Sequence, residues 1–369
     1  MQHQGNELDF KGYNIYVGID VHLKSWTVTI LTEAQPHKTF SQPPKPEVLA
    51  IYLEKHFPNG SYHSAYEAGF SGFWAHYRLI SLGINNIVIN PADVPTTQKE
   101  QYHKNDPVDS RKIAKALRSG LLIPIHILGN EAIEDRSLVR TRSALVKDMT
   151  RFKVRIKSFL FFFGINYPEN FENTRTHWSR NFMQWLKEIK LETWSGRTAL
   201  DMLIREAENQ RQLLLEINKK IRMLCRSDRY KQNVDLLQTV PGIGMTNAVV
   251  FITQIESVER FRTIDELASY VGLVPTSHSS GEKDNKGEMT FRGQKILKSM
   301  LVESAWVAVR IDTALSLSYN TYIKRMQPNK AIIRIARKLL NRIYYTLKKT
   351  PLSNGNCGSK PVKTIIKIK

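Results

Sequence analysis

Four acidic side chains stand where a carboxylate needs a cation or a hydrogen-bond donor. Asp20 and Glu67 each end a short apolar run of the kind that forms a strand, where burying a charge without a partner is costly. Asp106 and Asp109 are three residues apart, which places both carboxylates on one face of a helix. Carboxylate oxygens are ligands of Mg²⁺, and a pair of such ions stabilises the attacking and the leaving oxygen of a phosphodiester. The four acids together predict a catalytic site that holds Mg²⁺ or Mn²⁺.

Helix capping is an alternative explanation for two of these acids. Pro107 suits the first turn of a helix, Asp106 suits the N-cap position, and the charge of Asp109 is favourable near a helix N-terminus. A single acid at a strand end, such as Asp20, is also commonly a turn residue. Only the four acids in combination favour a metal site.

A serine followed by a glycine lies in the polar stretch 276–287, which we predict to be a loop. Gly281 would let a phosphate approach Ser280 closely, and positive charge nearby would stabilise a pentacovalent phosphate. A metal ion near the hydroxyl would activate it as a nucleophile. The surrounding cations are Lys283, Lys286, Arg292, Lys295 and Lys298. These arguments do not distinguish Ser280 from Ser277 or Ser279.

Two further segments have features of nucleic-acid contacts. Residues 236–248 are predicted to form a helix-hairpin-helix, in which Gly242 and Gly244 present backbone N–H groups to a phosphate. A plain glycine-capped turn explains the same residues. Arg334 and Lys338 belong to a basic amphipathic helix that would pack its apolar side inward and face nucleic acid with its cations. A membrane-surface helix has the same pattern, but no lipidation signal accompanies it.

The acids need a sheet and a helix to bring them together, and hydrophobic periodicity predicts both. Strands are predicted at Tyr13–Gly18, Trp26–Leu31, Ser61–Glu67 and Ile87–Ile89, and helices at Val48–His56, Gly72–Leu82 and Val108–Arg118. Strands that are followed by alternating helices and strands indicate an α/β domain with a mixed sheet, at about residues 1–130.

A helical, coiled-coil-like dimerisation segment is predicted at residues 131–230. Leu138, Leu145, Phe152 and Phe159 repeat every seven residues, which is coiled-coil periodicity. Two long helices would pack as an antiparallel hairpin or pair between subunits, and an ordinary helical core explains the pattern equally well. Residues 231–350 are predicted to form an all-α C-terminal domain, and residues 351–369 a flexible basic tail.

Positive charge is concentrated in the later parts of the chain. The net charge is +20, of which residues 1–130 contribute only +1, and the pI is about 9.8. This balance favours nucleic acid as a partner. Cys225 and Cys357 belong to no Cys/His cluster, which argues against a disulfide framework or a zinc site. Without a signal segment or an apolar run of bilayer length, we expect no membrane partner and a place in the cytoplasm.

The motifs resemble one known family. The resemblance to the RuvC-like, RNase H-fold DEDD domain of the insertion-sequence 110 transposase family is carried by Val17-Gly-Ile-Asp20-Val21, Tyr66-Glu67-Ala68-Gly69, Ile89-Asn90-Pro91 and Lys104-Asn105-Asp106-Pro107-Val108-Asp109. The resemblance to the family's C-terminal transposase domain is carried by Pro241-Gly-Ile-Gly244, Gly272-Leu-Val-Pro275, Ser280-Gly281, Gly287-Glu-Met-Thr290 and Arg292-Gly293. The family usually has Thr where this chain has Asn105 and Ala where it has Ser110, and neither departure alters a carboxylate.

The resemblance implies a recombinase that cuts and rejoins DNA strands. In this family the serine of the Ser-Gly pair is the nucleophile, so Ser280 would form a 5′-phosphoserine link, and the four carboxylates would hold the metal. The implied partners are donor and target DNA, a structured guide RNA, and further copies of the chain in a dimer or tetramer. Two alternatives stay open from the residues. One is a nuclease resembling a Holliday-junction resolvase, in which metal-activated water attacks and Ser280 is incidental; the other is a non-catalytic nucleic-acid-binding protein.

Overall fold

The computed structural model describes residues 9–95, 106–280, 283–290 and 292–349, with residues 276–288 and 349 described by their backbone alone. The chain divides into two compact units, Met1–Ile127 and Leu128–Lys369. The division of the second unit into a helical segment and a C-terminal domain stays a prediction.

A five-stranded mixed sheet organises the first unit. Its strands are β1 (Asn14–Val21), β2 (Trp26–Leu31), β3 (Pro36–Gln42), β4 (Ser61–Glu67) and β5 (Asn85–Ile89), in the spatial order β3-β2-β1-β4-β5. β1 is antiparallel to β2 and parallel to β4, and β4 is parallel to β5. The predicted mixed sheet flanked by helices is therefore confirmed. β3 was not predicted, because it is an exposed edge strand without alternating apolar residues.

Helices cover both faces of this sheet. The helices are α1 (Pro46–His56), α2 (Trp74–Ser81) and α3 (Asp106–Arg118). Successive strand residues face opposite sides. Accordingly Val17 is buried in the core that α1 and α2 complete, whereas the next residue, Gly18, lies against α3.

Direct backbone contact places α3 on β1. A Cβ atom on Gly18 would lie 2.1 Å from the backbone oxygen of Ser110 and 2.4 Å from the backbone nitrogen of Ala114, so only glycine fits. Beside this contact, the Ser110 hydroxyl lies 2.8 Å from Thr29 Oγ1, which lies 2.9 Å from Thr39 Oγ1. Buried hydroxyls need such partners. These contacts set the position of the helix start, where Asp106 and Asp109 lie.

Two long helices, α4 (Asn130–Phe162) and α6 (Trp194–Cys225), begin the second unit. Arg142 Nε donates to Asn218 Oδ1 at 2.7 Å, and Ile156 packs in one cluster with Leu200 and Ile204. Residues later in α4 thus meet residues earlier in α6, which makes the pair an antiparallel hairpin within the chain. The shorter helix α5 (Arg180–Glu188) contributes Phe182 and Leu186 to the cluster around Ile156.

The rest of the second unit is mainly helical. It comprises α7 (Lys231–Gln238), α8 (Met245–Ile255), α9 (Ile264–Val271), α10 (Lys295–Ile311), α11 (Thr313–Ile323) and α12 (Pro328–Lys349), with strands β6 (Pro275–Ser280) and β7 (Lys283–Met289) between α9 and α10. β6 and β7 pair antiparallel. The prediction of an all-α domain with a polar loop at 276–287 was therefore wrong in this segment. The hairpin is defined by backbone pairing between residues without apolar alternation, so hydrophobic periodicity gave no signal for it.

Within the described part of the chain, no helix is both long enough and apolar enough to cross a bilayer.

Candidate metal centre and nucleic-acid surfaces

Two acids lie at the carboxyl ends of neighbouring parallel strands. β1 and β4 run in register with Ile19 opposite Tyr66, so Asp20 and Glu67 occupy the next positions along the two strands. Glu67 also ends its pairing with β5 opposite Ile89. The carboxyl edge of a parallel sheet is where such folds place polar ligands. The sheet alone therefore brings two of the four predicted acids to one edge.

Helix α3 brings a third acid to Asp20, together with a histidine that the sequence argument missed. His22 Nε2 lies 3.1 Å from Asp20 Oδ2 and 3.5 Å from Asp106 Oδ2. One ligand atom from each of Asp20, His22 and Asp106 lies within 4.8 Å of the other two. The signal for His22 was its place two residues after Asp20, since alternate residues of an extended chain face the same side.

The fourth acid, Asp109, is held by a neighbouring lysine. Its Oδ1 accepts a hydrogen bond from Lys112 Nζ at 3.1 Å, and the Lys112 side chain is only 10% exposed. An ion pair this sheltered limits the movement of the Asp109 carboxylate. Asp109 is outside the close group of three, although its charge still acts on Asp20.

The charge balance of the site suits a divalent cation. Burial raises the pKa of the Asp20 carboxyl above its ordinary value, and the charges of Asp106 and Asp109 raise it further, while His22 opposes the rise. Crowded carboxylates repel, and a bound cation relieves both the repulsion and the lost hydration. The donor set of carboxylate oxygens with one imidazole nitrogen therefore fits a divalent metal ion.

The predicted nucleophile lies at the end of the β6–β7 hairpin. Ser280 pairs with Lys283, and Ser277 pairs with Lys286, so the predicted serine and two predicted cations belong to one hairpin. Only the backbone of these residues is described, and Gly281 lies outside the described residues.

The cations beyond this hairpin differ in their surroundings. Lys295 is the exposed first residue of α10. Arg292 is exposed, and its backbone N–H donates to Thr290 Oγ1. Lys298 is partly buried; its Nζ donates to the backbone oxygen of Thr290 at 2.8 Å, and burial lowers its pKa. Lys295 and Arg292 are thus better placed than Lys298 to meet a phosphate.

The predicted glycine turn joins α7 to α8. A Cβ atom on Gly242, whose φ is +85°, would lie 2.4 Å from the backbone oxygen of Ser304, so close packing against α10 explains this glycine. Gly244 is exposed, and a Cβ atom there would meet no atom within 4 Å. Of the two glycines, only Gly244 offers the approach that a phosphate needs.

The predicted basic helix is α12, and its cations have partners within the chain. Arg334 and Lys338 each lie 5.5 Å from the centre of the Tyr322 ring, and Lys338 Nζ donates to Ser318 Oγ at 3.0 Å. Arg342 Nη1 lies 2.8 Å from Asp312 Oδ2. Arg334 is the exposed member of this group, and nucleic acid can reach it most easily.

Two family models match the chain. The DEDD transposase model of the IS110 group matches residues 17–163, and the model described as the transposase IS116/IS110/IS902 family matches residues 234–320. The first match implies an RNase H-like fold for the mixed sheet and dependence on a divalent metal.

Individual relatives are similar over most of the chain. The y4qE protein of Sinorhizobium fredii, which carries a transposase name, is 25% identical over 65% of this chain, and the chain spans 57% of its length. The transposase for insertion sequence element IS1533 of Leptospira borgpetersenii is 23% identical over 79% of this chain and 84% of its own. The transposase for insertion sequence element IS1111A of Coxiella burnetii is 25% identical over 76% of this chain and 75% of its own. The chain therefore belongs to the IS110 family of transposases, enzymes that cut and rejoin DNA.

Proposed function

We propose that this chain transfers DNA strands through a serine nucleophile supported by a Mg²⁺ or Mn²⁺ site. The observation that carries the metal site is the convergence of Asp20, His22 and Asp106, with Glu67 at the same edge of the sheet. A divalent cation bound there supplies Lewis-acid stabilisation of charge on the phosphate oxygens. Asp20, Asp106 and Glu67 would hold the cation, and the ion pair with Lys112 restrains Asp109, whose charge also acts on Asp20.

The proposed reaction keeps the energy of the broken phosphodiester bond in a new phosphoester bond. Ser280 Oγ attacks phosphorus, the bond from phosphorus to the 3′ oxygen breaks, and the proton lost by the serine is balanced by the one gained at the 3′ hydroxyl. The 5′ end stays attached to Ser280. Attack by a 3′ hydroxyl from another strand reverses these steps and frees the serine. No external energy source is needed, because one phosphoester bond replaces another at each step.

The partners follow from charge and family. Donor and target DNA would lie against the second unit, which carries most of the positive charge, with Gly244, Lys295 and Arg334 among the contacts. A structured guide RNA and assembly as a dimer or tetramer are proposed from the family alone. Action at the nucleoid is proposed from the DNA substrate.

A covalent adduct tests the nucleophile. Purified full-length protein is incubated with Mg²⁺ or Mn²⁺, DNA bearing the element's ends and RNA transcribed from its flanks, then denatured and examined for protein attached to DNA. We expect an adduct that is lost in Ser280→Ala and kept in the matched variants Ser277→Ala and Ser279→Ala. An adduct that persists in Ser280→Ala contradicts the assignment.

The same assay separates the two alternatives. Cutting without any adduct supports the nuclease that uses activated water. If Asp20→Asn and Glu67→Gln leave every activity of the protein unchanged, the carboxylates do not serve catalysis and a non-catalytic binding protein is favoured.

A further inference from the structure

We propose that His22 is a ligand of the metal ion held by Asp20 and Asp106, so that the site combines an imidazole nitrogen with carboxylate oxygens and favours Mn²⁺ and similar transition ions over Mg²⁺. This proposal rests on the metal site of the proposed function. It adds a ligand outside the four acids and a preference among metals.

The distances are those expected between neighbouring ligands of one ion. Two ligand atoms that each lie about 2.1 Å from an ion, at right angles to one another, are about 3.0 Å apart. His22 Nε2 is 3.1 Å from Asp20 Oδ2 and 3.5 Å from Asp106 Oδ2. The nitrogen and the two oxygens therefore need little movement to share an ion.

The hairpin turn holds His22 in this position. β1 and β2 pair as far as Val21 and Trp26, and the His22 backbone N–H donates to the Ser25 backbone oxygen at 3.2 Å. The backbone of His22 is thus fixed by the turn, and only the side-chain torsions need adjust. Ligands that a rigid backbone positions in advance lose less entropy when the ion binds.

The metal preference follows from ligand chemistry. Imidazole nitrogen binds transition ions well, whereas Mg²⁺ prefers oxygen ligands and keeps its waters. A site made of oxygens alone would be less selective for Mn²⁺. The alternative role for His22 is a hydrogen-bond partner that neutralises the carboxylates and leaves the metal to them.

Pulsed electron paramagnetic resonance of full-length protein with Mn²⁺ alone decides between these roles, because it detects nitrogen bound to Mn²⁺. In the natural protein we expect a bound nitrogen to modulate the electron spin echo of Mn²⁺. This nitrogen modulation should be lost in His22→Asn. It should be kept in the matched variant His37→Asn, because the His37 imidazole contacts Tyr52 and lies outside the proposed ligand set. We also expect His22→Asn to weaken Mn²⁺ binding by at least about tenfold and Mg²⁺ binding by less than about threefold.

The outcomes distinguish a failure of this proposal from a failure of the metal site on which it depends. If Mn²⁺ binds and Asp20→Asn abolishes binding, but nitrogen modulation is absent or survives in His22→Asn, the histidine is not a ligand while the metal site stands. If Mn²⁺ binding is absent, or is unchanged in Asp20→Asn, both the metal site and the role of His22 are refuted.

Discussion

Replacing Asp20 by asparagine changes the stability of the first unit in opposite ways with and without metal. Asparagine keeps the shape of the side chain and removes its charge. The Asp20 side chain is 22% exposed, and burial and the neighbouring acids raise the pKa of its carboxyl above the ordinary value of 3.8. An acid whose pKa is raised on folding contributes stability below its unfolded pKa and loses that stability as the pH rises through the folded value. Near neutral pH the ionised carboxylate therefore destabilises the metal-free protein.

The size of the effect follows from the distances. The ligand oxygens of Asp20 and Asp106 lie no more than 4.8 Å apart, so the two charges repel by at least about 0.9 kcal/mol in water and at least about 3.5 kcal/mol at an effective dielectric constant of about 20. The lower figure is the better guide, because the Asp106 side chain is 58% exposed and water screens it. We expect Asp20→Asn to raise the free energy of unfolding by about 1 kcal/mol in chelator, or the melting temperature by roughly 4 °C.

With metal bound, the natural protein becomes more stable than Asp20→Asn. An ion at about 100 times its dissociation constant stabilises the folded natural protein by about 2.7 kcal/mol, whereas Asp20→Asn loses that gain with the ligand. Thermal unfolding is measured in chelator and in Mn²⁺, first near neutral pH and then as the pH is lowered towards 3.8, the ordinary pKa of the carboxyl, where the difference in chelator should shrink. Glu54→Gln is the control, because Glu54 accepts a hydrogen bond from Tyr62 that glutamine can also accept. The reasoning would be refuted if Asp20→Asn were less stable than the natural protein in chelator and if Mn²⁺ raised the melting temperature of both proteins equally.

Three further predictions concern the packing of α3 and the proposed DNA contact of Arg334. Gly18→Ala should lower the free energy of unfolding in urea by about 3 kcal/mol or more, because the methyl group would meet the helix backbone, whereas Gly69→Ala, which meets no atom within 4 Å, should change it little. A double-mutant cycle of Ser110→Ala with Thr29→Val should give a coupling energy of about 1 kcal/mol; a value near zero would mean that their hydrogen bond does not stabilise the unit. Arg334→Gln should weaken DNA binding equally for all sequences and reduce the slope of log affinity against log salt by about 0.9, and an unchanged slope would exclude a phosphate contact at this residue.

Local sequence determined much of the sheet and the place of the acids along the chain. The strands Trp26–Leu31 and Ser61–Glu67 have their predicted bounds, and the helix predicted at Val108–Arg118 begins two residues earlier, at Asp106. Trp26–Leu31, which is buried throughout, could be predicted from its run of β-branched and aromatic residues, and the helix could be predicted from apolar residues that recur with a helical period. The motifs around the four acids also indicated the family whose DEDD transposase model matches residues 17–163.

Only the tertiary structure decided which side chains meet. His22 lies beside Asp20 and Asp106 because a hairpin turn and the start of α3 come together, a contact that spans 84 positions of the chain. Close packing on α10 accounts for Gly242, and partners from other helices engage Lys338 and Arg342. The hydrophobic periodicity of the sequence indicates whether a residue is buried, but it does not indicate which atoms of other elements contact that residue. Ligand sets, ion pairs and close backbone contacts depend on those atoms, and they are settled only when the elements pack.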